Sequence, residues 1–157
     1  MGTSIVCGVD GSEQSEAALA VAAGIAERLD ARLVLAHVVE PVQRASTRAT
    51  AYGGMAATDP VSAQEEIAAQ EAAAASLLER TADTAGVADA GLRVELGLPA
   101  ERLAEIADDE QAEMIVVGSR GRGAFKAAFL GSVSTSLVGV ARCPVLIVPP
   151  GAVGSEQ

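Results

Sequence analysis

The stretch "RLVLAHVV", residues 32–39, is almost continuously apolar. A strand of that composition has no solvated face, so it belongs inside a sheet covered on both sides. Short apolar runs of the same kind recur as "SIVCGVD" (4–10), "GLRVELG" (91–97), "EMIVVGS" (113–119) and "CPVLIVPP" (143–150). Longer patterns of helical period separate them. Ser12 is placed to cap "EQSEAALAVAAGIAERL", whose Ala18, Val21, Ala22, Ile25 and Leu29 share one apolar face. Residues 61–86 form an alanine-rich pattern in which Ile67, Ala74, Leu77 and Leu78 lie at roughly helical spacing. Pro99 opens the helical pattern of 98–112, and 131–142 supplies the last one. Strand and helix alternate to the end, which predicts an α/β domain built on a parallel sheet with right-handed crossovers. The segment 40–60 has no clear period and carries two prolines and a glycine pair, so a mobile or ligand-dependent loop is expected there.

Composition narrows the functional classes. A chain of 157 residues, half of them apolar, suits one domain with a substantial core; that domain is expected over 1–150, with a flexible tail at 151–157. The aromatic residues are Tyr52, Phe125 and Phe129, with no Trp, which speaks against stacking on a series of nucleobases. A net charge of −10 opposes general affinity for nucleic acid or an anionic membrane. No run reaches the ~18 apolar residues of a membrane span, and the start lacks the basic region of a signal peptide. Cys7 and Cys143 sit in apolar runs without metal-ligand spacing and are expected to be buried, reduced thiols of a cytoplasmic protein.

The charge is unevenly spread. Residues 1–114 hold 7 arginines against 20 carboxylates, a balance of −13. Residues 115–157 hold Arg120, Arg122, Lys126 and Arg142 against Glu156, a balance of +3. A local basic segment at a glycine-rich turn suggests a small anionic ligand, or else a chance fluctuation.

That turn is "VVGSRGRGAFKAAFLGSVSTS", residues 116–136. In an open parallel sheet, ligands bind at the carboxyl ends of the strands, where the strand order reverses. Asp10-Gly11, His37-Val38 and Gly118 all fall at such ends. Glycines let a backbone come close to a ligand and point successive amides into one concavity. Gly131-Ser132 then starts a helix, whose free N–H groups favour an anion, with Ser132 and Ser134 as further hydroxyl donors. The order is neither a Walker P-loop nor the GxGxxG of a dinucleotide fold. Glycines alone favour a softened connection; the strand before them, the basic residues and the helix start reverse that reading in favour of a phosphate cradle.

With these residues in view, the chain resembles the universal stress protein family over nearly its whole length. The resemblance lies in "VDGSEQSEAAL", "AHVV", "VVGSRGRG…GSVS" and "CPVLIVPP". The spacing Gly118-x2-Gly121-x9-Gly131-Ser132 resembles the signature of the ATP-binding branch. The resemblance implies a single-domain three-layer α/β/α sandwich, flavodoxin- or Rossmann-like, with a five-stranded parallel sheet in the order 3-2-1-4-5. It also implies a cytoplasmic regulator of stress adaptation that binds ATP, with Mg²⁺ or without, or alternatively cyclic AMP. By position, Asp10 resembles the residue that contacts the ribose, with Val9 and Gly11 beside it. Val38 resembles the residue whose backbone meets adenine. Val117, Gly118, Arg120, Gly121, Gly131, Ser132, Val133 and Ser134 resemble the phosphate cradle. A homodimer through the last strand, 143–149, is implied as well.

Other readings stay open beside these. Asp10 could simply brace the Gly11-Ser12 turn. No acid–Ser–His set can be assembled around His37, the lone histidine, which favours a packed structural role. Arg122 and Lys126 either steer phosphate or are merely solvated. Phe125 and Phe129, four apart, are expected to pin the intervening segment onto the body. Pro144 suits an edge strand, since it has no N–H to give. The sequence offers no activated nucleophile and no catalytic residue is assigned, although slow Mg-dependent ATP hydrolysis and a purely interacting module remain as alternatives.

Overall fold

A computed structural model of the chain describes residues 2–41, 60–120 and 130–152. The expected mobile loop lies almost wholly outside the described residues, as do Gly121, Arg122, Gly123, Phe125, Lys126 and Phe129 and most of the expected tail.

The chain runs β1 (Ser4–Gly8), α1 (Glu13–Leu29), β2 (Arg32–Val39), α2 (Pro60–Ala85), β3 (Gly91–Leu96), α3 (Pro99–Asp109), β4 (Ala112–Gly118), α4 (Ser132–Val140) and β5 (Val145–Val148). All five strands are parallel, in the order β3-β2-β1-β4-β5. This is the expected fold and the expected order. Strand and helix boundaries move by one to a few residues from their sequence-based positions.

The two-residue period of a strand divides the core into two halves. Ile5, Cys7, Leu33, Leu35 and Val116 point to one face, where Ala18, Leu19 and Ala22 of α1 and Leu78 and Ala82 of α2 cover them. Val6, Val34, Ala36, Ile115 and Val117 point to the other, under Leu103, Ile106 and Ala107 of α3 and Leu137 of α4. The apolar continuity of 32–39 is thus the mark of a strand covered on both faces, the result being three layers, α/β/α. At full burial each such Leu or Ile contributes about 1.5–3 kcal/mol.

Two expectations need correction. The buried stripe of α1 is Ser15, Ala18, Leu19, Ala22 and Ala26, while Leu29 is 52% exposed. Leu29 occupies the last turn, just before Asp30 ends the helix in the left-handed conformation (φ 51°) and Arg32 begins the next strand. Of the two thiols, Cys7 is buried and burial pushes it up to about 12, so it stays protonated. Cys143 is only half-buried, because it precedes β5 at the sheet edge; partial burial, then nearby Asp108, raise it too.

Candidate functional site

The order of the strands reverses between β1 and β4, and the chain leaves β1 and β4 toward opposite layers. A crevice opens at their carboxyl ends. It is a cavity of about 810 Å³, within the range of small-molecule sites. Gly8, Val9 and Asp10 at the end of β1, Ala36 to Glu40 at the end of β2, and Val117, Gly118 and Arg120 at the end of β4 form its floor. Gly131 to Ser134 close it on one side, and Gln70, Ala73, Ala74, Leu77 and Arg80 of α2 on another, with Ser15, Pro99 and Leu103 completing the wall.

Ten sequence-predicted residues meet there: Val9, Asp10, Val38, Val117, Gly118, Arg120, Gly131, Ser132, Val133 and Ser134. Gly11 is not part of the wall. It forms the turn behind Asp10 with φ 79°, a conformation that glycine adopts at no steric cost. Gly121 lies outside the described residues.

The start of α4 is built for an anion. Gly131 is its N-cap, with no side chain to cap the helix, and Thr135 donates the first closing hydrogen bond to the Gly131 carbonyl (3.0 Å). The amides of Ser132, Val133 and Ser134 therefore have no acceptor within the helix and carry its positive end. Gly131 spends its own N–H on the Ser119 carbonyl at 2.7 Å, which fastens the helix start to the end of β4. Arg120, half-buried, lines the cavity beside it. The hydroxyl of Ser134 is not a spare donor as expected; it is buried and donates to the Gly118 carbonyl at 2.8 Å.

Gly118 also has a different reason for being glycine. A Cβ there would stand 2.8 Å from the backbone carbonyl carbon and oxygen of Gln14, in the first turn of α1. The missing side chain lets a helix approach the strand end. Asp10 matches the bracing alternative: Oδ1 accepts from the Ser12 N–H at 2.9 Å and from the Ser12 hydroxyl. Ser12 in turn accepts from the Ser15 N–H at 3.2 Å and caps α1. Bracing does not remove Asp10 from the cavity, whose wall it shares. His37 holds Nδ1 2.6 Å from the Val9 carbonyl. A carbonyl only accepts, so Nδ1 carries a proton and donates it there.

Ser119 carries an unusual group, a buried hydroxyl with no hydrogen-bond partner among the described residues. An unpartnered buried hydroxyl costs about 1–3 kcal/mol of desolvation. Ser119→Ala should therefore raise stability, by roughly 1 kcal/mol, in urea unfolding; a loss of stability would show that the hydroxyl is satisfied.

The α2 wall was missed in the sequence, as were Ser15, Glu40, Pro99 and Leu103. Its signal is the spacing of Gln70, Ala73, Ala74 and Leu77, one helical stripe with two alanines at its middle.

Comparison with known proteins agrees with this architecture. The model of the universal stress protein family matches residues 1–149. A universal stress protein of Thermus aquaticus is 35% identical over 144 residues, covering 92% of this chain and 96% of its own length. Among solved structures, UspA from Lactobacillus plantarum is similar with a TM-score of 0.73 at 26% identity, over 93% of this chain and 97% of that one. A universal stress protein solved in complex with cAMP has a TM-score of 0.63, also at 26% identity, over 93% of this chain and 96% of its own. The chain belongs to the universal stress protein family.

Proposed function

We propose that the chain binds an adenine nucleotide, with ATP as its ligand, and acts in the cytoplasm as a nucleotide-dependent regulator of stress adaptation. The observation that carries this reading is the meeting, in one cavity, of the open amides of Ser132 to Ser134 with the Arg120 guanidinium. Amides at a helix start and a guanidinium both suit phosphate oxygens, and charge-assisted bonds of this kind are roughly twice as strong as neutral ones. The base and ribose would occupy the remaining floor, over Asp10 and Val38. ATP brings its Mg²⁺ on the phosphates, and the described residues hold no group of three or more His, Cys, Asp or Glu side chains fit for a metal of their own. No residue is assigned a catalytic role. Regulation would pass through β5, an edge strand with Leu146 exposed, pairing with its copy in a homodimer.

A backbone substitution tests the cradle cleanly. Proline is favoured at the first position of a helix, and Gly131 already has the extended conformation (φ −64°, ψ 164°) that a following proline requires. Ser132→Pro should keep the fold and remove one amide donor. ATP affinity, measured by calorimetry, should fall about tenfold, the worth of one charge-assisted hydrogen bond. Unchanged affinity in a folded variant would take the start of α4 out of the site.

The similar structure solved with cAMP favours a second reading, a cyclic-nucleotide binder. A cyclic phosphate needs only part of the cradle and no metal. Competition between ATP and cAMP, with and without Mg²⁺, separates the two.

A further inference from the structure

α2 outruns the sheet beside it. Its 26 residues make about 39 Å of helix, whereas β2, with 8 residues, runs about 26 Å. The helix packs on β2 and β3, and its buried residues, Ala74, Leu78 and Ala82, all fall in its second half. Residues 60–73 supply none. Ala63, Ile67 and Gln70 are half-buried there, and Val61, Ala68, Ala69 and Ala73 are exposed. Most helical stability in a protein comes from packing one face, and an isolated stretch of about 12–15 residues is marginal in water even when rich in alanine. The alanines of 60–73 therefore bring this half close to a balance between helix and coil, without the buried contacts that would decide it.

The cavity wall falls across the boundary between the two halves. Gln70 and Ala73 lie on the unpacked side, and Ala74, Leu77 and Arg80 on the packed side. Gln70, Ala73, Ala74 and Leu77 share one helical face. An occupant resting on Ala74 and Leu77 thus also meets Ala73 and Gln70, and carries the packed face toward the helix start.

We propose that the first half of α2 orders when the cavity is occupied, so that the helix displays at its surface whether the site is filled. This rests on the nucleotide reading above and adds to it a way for a site with no assigned catalytic residue to report its ligand. A ligand shifts such an equilibrium only through contacts that differ between the two forms. Here they come from the part of the nucleotide that lies toward β2 and α2, since the cradle at β4 and α4 is on the other side of β1. By linkage, whatever favours the helical form tightens the nucleotide equally.

Hydrogen exchange on the full chain reads this ordering. Without ligand, the amides of 64–73 should exchange at least about tenfold faster than those of 74–85. Saturating ATP should slow 64–73 about tenfold, and inorganic tripolyphosphate, which fills the cradle alone, should leave them unchanged. Ala68 is exposed and lies off the cavity wall, so Ala68→Gly weakens the helix without touching ligand or core. It should lower ATP affinity about three- to fivefold and leave tripolyphosphate affinity unchanged. Equal exchange in the two halves of the free protein, ATP binding without slower exchange at 64–73, slowing by tripolyphosphate as large as that by ATP, or wild-type ATP affinity in Ala68→Gly overturns the ordering and leaves nucleotide binding standing. Binding of no nucleotide overturns the nucleotide reading and the ordering with it.

Discussion

Gly118→Val is expected to lower stability and to weaken nucleotide binding in the same variant. The added carbons would meet the carbonyl of Gln14, with the first of them at 2.8 Å. That neighbour is backbone in the first turn of α1, so it cannot rotate aside as a long side chain would. Either the strand end or the helix must move. Forcing extra carbons into a packed site costs about 1–3 kcal/mol, occasionally more, and total stabilities are only about 5–15 kcal/mol. The displaced turn is also the one that Ser12 caps and Asp10 braces, so the Asp10 side of the cavity shifts with it. Gly118→Ala should show the same effect at the lower end of that range. Urea unfolding together with ATP calorimetry measures both consequences. An alanine variant with wild-type stability would mean that α1 and β4 are farther apart than described.

Leu137→Ala should be the other large effect, and its signature lies in how stability and binding divide. Leu137 is fully buried, and with Ser134 it is one of the two buried residues of α4. Truncating a buried leucine costs about 2–5 kcal/mol. A helix of nine residues that contains Gly139 and several β-branched residues has little stability of its own. It keeps its shape because Leu137 anchors it beneath the sheet. Loss of the anchor should loosen the amides of Ser132 to Ser134 and reduce ATP affinity beyond the fraction of unfolded protein. Ile106→Ala in α3 is the control, since Ile106 is equally buried and does not line the cavity. It should cost similar stability while ATP affinity of the folded fraction stays near wild type. Equal binding losses in the two variants would detach the cradle from the packing of α4.

The sheet was legible because its signal is local. Five apolar runs, two of them ending in Asp10 and Gly118, mark strands, the run of 32–39 marks one covered on both faces, and the alternation with helices leaves few topologies open. The reasons for particular residues were less legible. Gly118 was read as an approach to a ligand, but the approach is to Gln14, 104 positions earlier in the chain, and no local pattern reports so distant a neighbour. Leu29 shares the period of α1 yet is exposed, because period alone does not say where the sheet beneath a helix stops. The α2 wall was read only as a helix, because alanines at helical spacing suit a core and a cavity alike. Ser134 was read as a donor to a ligand, since a sequence does not show the Gly118 carbonyl waiting beneath it.

Ser119 joins more than the end of a strand. Its N–H donates to the Val148 carbonyl at 2.9 Å, at the end of β5, and its carbonyl accepts from Gly131 at the head of α4. One residue therefore spans the distance between the cavity wall and the outermost strand. Thermodynamic linkage gives this a two-way meaning. Were an occupant to favour one position of the α4 start, and were β5 to move with it, a molecule gripping the β5 edge would alter the hold on that occupant by the same free energy.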